Sequence, residues 1–493
     1  MLFPSVRDAW VAFFEKGGVA SALRPVGGSE GAIRYSSAML AAPPAVLVRA
    51  VQVVWQRPSV LVALTVCLAC VPFGDGGETD SLGITPADVS AAVLVGLVVL
   101  QQLRVPAQPS ISVAVAVGAT AVLAACFVAT VTATDPSRAL PGLVRLIELL
   151  IAVPIAVAMS LRSRVDLVLV GSAAVGAAVF EGGLGTYQFV TGTGAGFGGS
   201  SVRAVGTFGA YDIQSMATVV TFGLLVALAV ALGTSRRALR HVAAGVSLAL
   251  MLPLAMSLSR GSWLAAVAAA LVVIALSGLR KALLTVAVVG LLAVVVLTVV
   301  QPDLGVLGSR AGSVSTSAAS PDRSVKDRYD LWTIALDMWE DHPITGVGVK
   351  SFSLWRDSYA PMSLSSGSDI SDQQAGFRRV ELLSPHNLYL LIASEQGLLG
   401  ITAYVWLLLA LAAGAFRGLR GTAPGSVERV VGLFAVAFLV RYLVASIWGD
   451  LGGPPSVVSS MLMGVVIWFA GGARLAPAQH RPSQLSGSSV GSS

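Results

Sequence analysis

Apolar runs of about twenty residues, repeated along most of the chain, leave it few ways to fold. A run of that length with few charges fits a helix that crosses a bilayer. Twelve are legible, at about 58–73, 86–103, 110–132, 140–160, 166–181, 211–233, 242–258, 262–277, 282–301, 390–413, 428–447 and 455–472. Of the 493 residues, 55% are hydrophobic and only 12% charged, and mean hydropathy is +0.80. A soluble domain carries roughly twice that charge fraction. The expected fold class is therefore all-α: a polytopic membrane protein with about 12 transmembrane helices.

The net charge of +6 does not point to nucleic acid, because the basic residues sit mostly in short loops, where they orient helices. With the spans alternating in side, the loops assigned to the cytoplasm hold Arg104, Arg162, Arg164, Arg236, Arg237, Arg240, Arg280, Lys281, Arg417, Arg420 and Arg429. The short loops on the other side hold Arg138, Arg203 and Arg260. That bias places both ends in the cytoplasm. It divides the chain into a cytoplasmic N-terminal tail (1–57), nine membrane helices (58–301) and a large extracytoplasmic loop between the ninth and tenth helices (302–389). Three further helices (390–472) and a disordered cytoplasmic tail (473–493) follow. Within the N-terminal tail, an interfacial helix is expected near Val46–Trp55. No cleavable signal peptide is visible. Cys67, Cys70 and Cys126 lie inside apolar runs and read as small hydrophobes.

The large loop is the polar exception. Its segment Gly308–Ser320 reads as flexible. Arg328–Glu340 reads as a helix begun by Arg328, with Leu331, Trp332, Ala335 and Trp339 on one apolar face and Pro343, Gly346 and Gly348 ending it. Ser384-Pro385 reads as the start of the next helix, with Ser384 as N-cap and His386 in the first turn. A Gly-rich loop is expected over Gly182–Ala210.

Few residues on the outer side carry chemistry. Arg260, in SLSRGSW, fits either a snorkelling arginine in an interfacial turn or an anion site, and a purely structural turn there has no need of an arginine. An arginine at the start of a helix opposes the macrodipole, so Arg328 needs an anion, whether Asp327, Asp330 or a ligand. His386 sits where loop meets membrane, as a helix-capping histidine or a functional one, and His342, in Asp-His-Pro, reads as a helix stop. Arg203 joins the basic group from the mouth of the sixth span. Arg145, with Glu148 three residues on, reads as an ion pair within the membrane, and Arg441 as structural. The glycines of Thr191–Gly199 and Gly346–Ser351 do not have the spacing and context of phosphate loops. No cluster has metal-ligand spacing, so no protein-bound metal and no cofactor is expected.

These motifs resemble a known family. SLSRGSWLAAVAAALVV is similar to the signature turn and helix of the O-antigen ligase and polymerase superfamily. RYDLWTIALDMWEDHPITGVGVKSF resembles the Arg-led helix and Pro-x-x-Gly-x-Gly turn of that family's external loop. SPHNLYLLIASEQGLLGITAYV resembles the His-Asn segment that re-enters the membrane, and VRAVGTFGAYDIQSMA a weaker upstream element. The resemblance covers about Arg203–Ala413. It implies a membrane glycosyltransferase that takes a glycan from an undecaprenyl-diphosphate donor and passes it to a hydroxyl acceptor on a glycan, glycolipid or protein. It also implies that Arg260 and Arg328, with Arg203 a weaker addition, hold the diphosphate and that His386 activates the acceptor. Guanidinium groups match phosphate oxygens in pairs, and imidazole suits a general base near neutral pH. The implied location is the bacterial cytoplasmic membrane, with the site extracytoplasmic. Ligase and polymerase both fit. A twelve-span flippase is the rival class, disfavoured because no internal repeat is visible and the polar residues gather at one face.

Overall fold

The computed structural model describes residues 44–71, 84–106, 111–197, 202–209, 212, 214–278, 323–361, 364, 367–372 and 376–472. The chain divides into two units, residues 1–53 and 54–493. The described part of the first is the beginning of helix α1 (Pro44–Gln56), where the sequence places a helix.

The second unit is mostly helical. Its first helices are α2 (Ser59–Leu68), α3 (Pro86–Arg104), α4 (Val113–Val131), α5 (Pro136–Ser160) and α6 (Arg164–Thr191). Then come α7 (Ser215–Gly233), α8 (Arg237–Met256) and α9 (Arg260–Leu276). The large loop contributes α10 (Arg323–Asp341) and α11 (Phe352–Tyr359), and α12 (Leu388–Arg420), α13 (Val427–Ala445) and α14 (Gly453–Ala470) complete the bundle. Among the described residues, eight helices are long and apolar enough to cross a membrane: α3 to α8, α12 and α14. Helices α2 and α9 are shorter but apolar, and α13 is long but carries Glu428, Arg429 and Arg441. Each of these helices coincides with an expected span. The ninth expected span, 282–301, lies outside the described residues, as do Gly308–Ser320 and the tail from 473.

Local sequence sets the helix ends. Thr85 with Asp88, and Ser163 with Asp166, form capping boxes at α3 and α6, each satisfying otherwise orphaned N–H groups. Asp135, Ser259 and Ser426 cap α5, α9 and α13 through their side-chain oxygens. Helices α7 and α14 have 83% of their membrane-length windows buried, against 28–50% for the other six. They are the centre of the bundle, and the rest pack around them.

Several polar groups inside the bundle have partners. Arg145 reaches Asp88 at 2.6 Å and Glu148 at 2.9 Å, so the expected pair is a triad. It adjoins a π-helical stretch of α5, Glu148–Ala152, whose Leu149 carbonyl accepts the Ser460 hydroxyl at 2.7 Å. Arg441 donates to Thr218 at 2.8 Å and stacks over Phe222 at 4.6 Å.

Four local expectations need correction. Gly182, Gly183 and Gly185 are not in a loop; they lie in α6, which runs on to Thr191. Small residues there let helices approach: a methyl on Gly182 would lie 2.8 Å from Pro253, and one on Gly185 would lie 2.3 Å from Met216. The loop helix begins at Arg323, five residues before Arg328, because Arg323–Asp327 contains no proline or glycine to break it. Its buried face is Leu331, Ile334, Ala335 and Met338, with Trp332 and Trp339 at the border. The N-cap of α12 is Asn387, whose Oδ1 accepts the Tyr389 and Leu390 N–H groups at 3.0 and 3.2 Å; neither Ser384 nor Pro385 starts the helix. His386 therefore precedes the helix, with φ +48°. Finally, among the described residues the helices are accompanied by one small antiparallel sheet of β1 (Ala195–Phe197), β2 (Gly367–Asp372) and β3 (Gly376–Glu381), in the order β1-β2-β3. It pairs the segment before α7 with the large loop, Gly196 opposite Ser371.

Candidate active site

One short turn, Ser446–Asp450 at the end of α13, gathers the sequence motifs. The Leu388 N–H donates to the carbonyls of Ser446 and Gly449 at 2.9 and 3.0 Å, which fixes the start of α12 against it. Gly261 packs on it so closely that a methyl there would lie 3.2 Å from Trp448 Cβ, and this sets Arg260, the first residue of α9, beside the turn. Asp212, before α7, reaches the start of α14 just after the turn: its Oδ2 would lie 2.7 Å from a methyl on Gly453.

His386 is held by its neighbours. Its N–H donates to Ser384 Oγ at 3.0 Å, and that hydroxyl donates to the Asp450 carboxylate. The imidazole Nδ1 lies 4.0 Å from Asp450 Oδ2. The preceding Pro385 carbonyl accepts the Trp332 indole N–H at 3.0 Å, so α10, with Arg328 one turn earlier, is docked on the segment that carries His386. The two interact: burial pulls the His386 pKa below the ordinary histidine value, the Asp450 carboxylate pulls it back up, and the Arg328 charge lowers it further. Burial pushes the Asp212 carboxyl up to about 6, a Ser215 hydrogen bond opposes this, and the charge of Asp450 adds to it.

Arg203 is fixed by a different route. Its N–H and carbonyl pair with Ala195 at 2.7 and 3.1 Å, and the Ala204 N–H donates to the Met256 carbonyl at 3.1 Å, just before the Arg260 turn. Two residues of α6 hold the rest of this loop. Gln188 Oε1 accepts the Val205 and Gly206 N–H groups at 3.2 and 2.8 Å. Glu181, fully buried, accepts the Thr207 N–H and hydroxyl at 2.9 and 2.7 Å.

His342 lies elsewhere, ending α10 with its ring edge-on to Trp355 at 5.6 Å. An apolar cavity of about 290 Å³ runs between α4, α5, α12 and α14, lined by Val115, Leu123, Leu150, Tyr404, Leu411 and Leu451 among others. One of its lining residues, Leu451, directly follows Asp450 in the chain.

The arrangement sets an imidazole, depressed in basicity, near a carboxylate and within the field of a guanidinium. Residues 245–405 match the family model described as O-antigen ligase. This segment is similar to O-antigen ligases. No curated protein matches the chain. The matched segment takes in Arg260, Arg328, the Pro343–Gly348 turn and His386. Arg203, Asp212 and Asp450 lie outside the matched residues. Sequence reasoning passed over Asp450 and Asp212 altogether. The available signal was small: an aspartate in the Gly-rich turn after the eleventh span, and one closing the VRAVGTFGAYD element.

Proposed function

We propose that the protein is a membrane glycosyltransferase that moves a glycan from an undecaprenyl-diphosphate donor to a hydroxyl acceptor, on the outer face of the bacterial cytoplasmic membrane. The observation that carries this reading is the docking of α10, which carries Arg328, on the segment that carries His386, beside Asp450. A diphosphate leaving group gains negative charge as its glycosidic bond breaks, and preorganised cations aimed at that charge are usually the largest catalytic contribution. Arg328 and Arg260 supply them, with Arg203 in support.

His386 is the general base. Its lowered basicity keeps the imidazole neutral at neutral pH, the form that accepts the acceptor's proton. Asp450 orients the ring and stabilises the imidazolium that forms. The reaction is a single displacement that inverts the anomeric centre. The apolar cavity that Leu451 helps to line receives part of the isoprenoid chain, with the diphosphate at the level of the polar site. The ligase and polymerase reactions share this chemistry and differ in acceptor.

The test is transfer by the purified, detergent-solubilised protein, with an undecaprenyl-diphosphate glycan and a panel of hydroxyl acceptors. Glycan transfer with release of undecaprenyl diphosphate supports the proposal. Movement of the lipid across a bilayer without transfer to any acceptor would favour a flippase and overturn it.

A further inference from the structure

Glu395 is buried, with 6% of its surface exposed, two turns into the apolar helix α12, and the chemistry above does not use it. A carboxylate in such a place is costly without dedicated partners. Its partners come from the large loop. Glu395 Oε1 accepts the Phe352 N–H, the first of α11, at 3.1 Å, and the carboxylate also takes the Lys350 N–H. A carboxylate of the membrane helix thus caps a helix of the loop, where it satisfies orphaned N–H groups and meets the positive end of the helix dipole.

The backbone around Glu395 is built for the same contact. Helix α12 is broken at Gly397, which has φ +62°. The break frees carbonyls and N–H groups, and the loop turn Pro343–Gly348 takes them up. The Val347 N–H donates to the Ser394 carbonyl at 2.9 Å and the Gly348 N–H to the Glu395 carbonyl at 3.0 Å. In the other direction, the Leu398 N–H donates to the Pro343 carbonyl at 2.8 Å and the Leu399 N–H to the Ile344 carbonyl at 3.3 Å. The fit leaves no room for side chains: a methyl on Gly346 would lie 2.3 Å from the Glu395 carbonyl carbon, and one on Gly397 would lie 2.4 Å from that of Ile344. The turn follows α10 directly, and α10 carries Arg328. Two turns of helix N-terminal to Glu395, α12 begins beside His386.

We propose that Glu395 is a positioning residue: by gripping the N–H groups at 350 and 352 across the break in α12, it locks the large loop to the membrane helix and fixes Arg328 relative to His386. The inference rests on the proposed chemistry for its consequence, but the lock itself is a matter of geometry. Misplacing a reacting or stabilising group by about 1 Å costs on the order of a hundredfold in rate. Loss of the grip therefore acts on turnover more than on binding of the donor.

The test combines two measurements on the full-length protein. Spin labels at exposed Asp337 on α10 and exposed Thr402 on α12, with Cys67, Cys70 and Cys126 replaced by alanine, report the distance between loop and membrane helix. Transfer kinetics are measured on the same variants without labels. Glu395→Ala is expected to broaden the distance distribution and to lower kcat at least tenfold, with donor KM changed less than about threefold. Glu395→Gln keeps the shape and one acceptor oxygen, so it is expected to fall between the alanine variant and the wild type in both readouts. It also provides the test should the alanine variant not fold. Wild-type turnover in these variants, or lost turnover with an unbroadened distance, would overturn the proposal. Absence of transfer by the wild-type protein would instead fail the glycosyltransferase reading, and the distance distribution alone would then decide whether Glu395 holds the loop.

Discussion

His386 takes its place through its backbone as much as its ring. A left-handed φ of +48° is uncommon outside glycine, and here the Ser384 hydroxyl fixes it by bonding both the His386 N–H and Asp450. The sequence singled out the histidine and the arginines because they fall on the side assigned to the exterior, where the charge bias of the loops leaves few basic residues. It did not single out Asp450, whose importance comes from a contact between segments 64 residues apart (386 to 450). The pairing has a pH consequence with a definite sign. The rate depends on neutral imidazole, so it falls as pH drops through the His386 pKa, which burial and Arg328 hold below the ordinary value. Asp450 opposes that lowering. Asp450→Asn should therefore move the acid limb of the kcat profile to lower pH, while reducing the plateau by about ten- to a hundredfold as the ring loses its orienting partner. A limb that stays in place or moves to higher pH would contradict this arrangement.

At the level of elements, most of the helices could be read from hydropathy, and the existence of the loop helix from its periodicity. Their ends were harder to read. A proline after a serine looks like a helix start, yet Asn387 caps α12 because its side chain alone reaches the free N–H groups. Gly182 and its neighbours look like a loop, yet they are the contact surface of α6. Arg328 looks like a helix start, and the helix in fact begins at Arg323, so the macrodipole gives no reason for an arginine at that position. The docking of α10 gives one. Arg328→Ala should lower kcat/KM by about a hundredfold or more, roughly 3 kcal/mol, in a protein that still inserts and folds. Arg328→Lys should restore little, since an ammonium lacks the paired donors of guanidinium. Activity near wild type in Arg328→Ala would remove the residue from the mechanism.

For the whole molecule, the charge bias of the loops gave an orientation, and the structure gathers Arg260, Arg328, His386 and Asp450 at one end of the bundle. What the sequence could not supply is the way they are gathered: through the turn Ser446–Asp450, the sheet that ties residues 195–197 to the loop, and the break in α12. All three depend on contacts between distant segments and leave no local periodicity. If that end faces outward, a cysteine at exposed Glu340 should react with an impermeant thiol reagent added to intact cells, and one at exposed Ser235 should not. The reverse pattern would invert the topology and place the site in the cytoplasm.

The central claim is that His386 performs the chemistry while the arginines hold the diphosphate, and one comparison tests it most directly. Transfer and donor binding are measured separately for His386→Ala and wild type, with purified protein and an undecaprenyl-diphosphate glycan. A positioned general base contributes ~10²–10⁴-fold, so transfer should fall by that factor while donor affinity changes little. His342→Ala, altering a ring packed on Trp355 away from the site, should be far milder. Full transfer by His386→Ala, or loss of donor binding in step with transfer, would contradict the account.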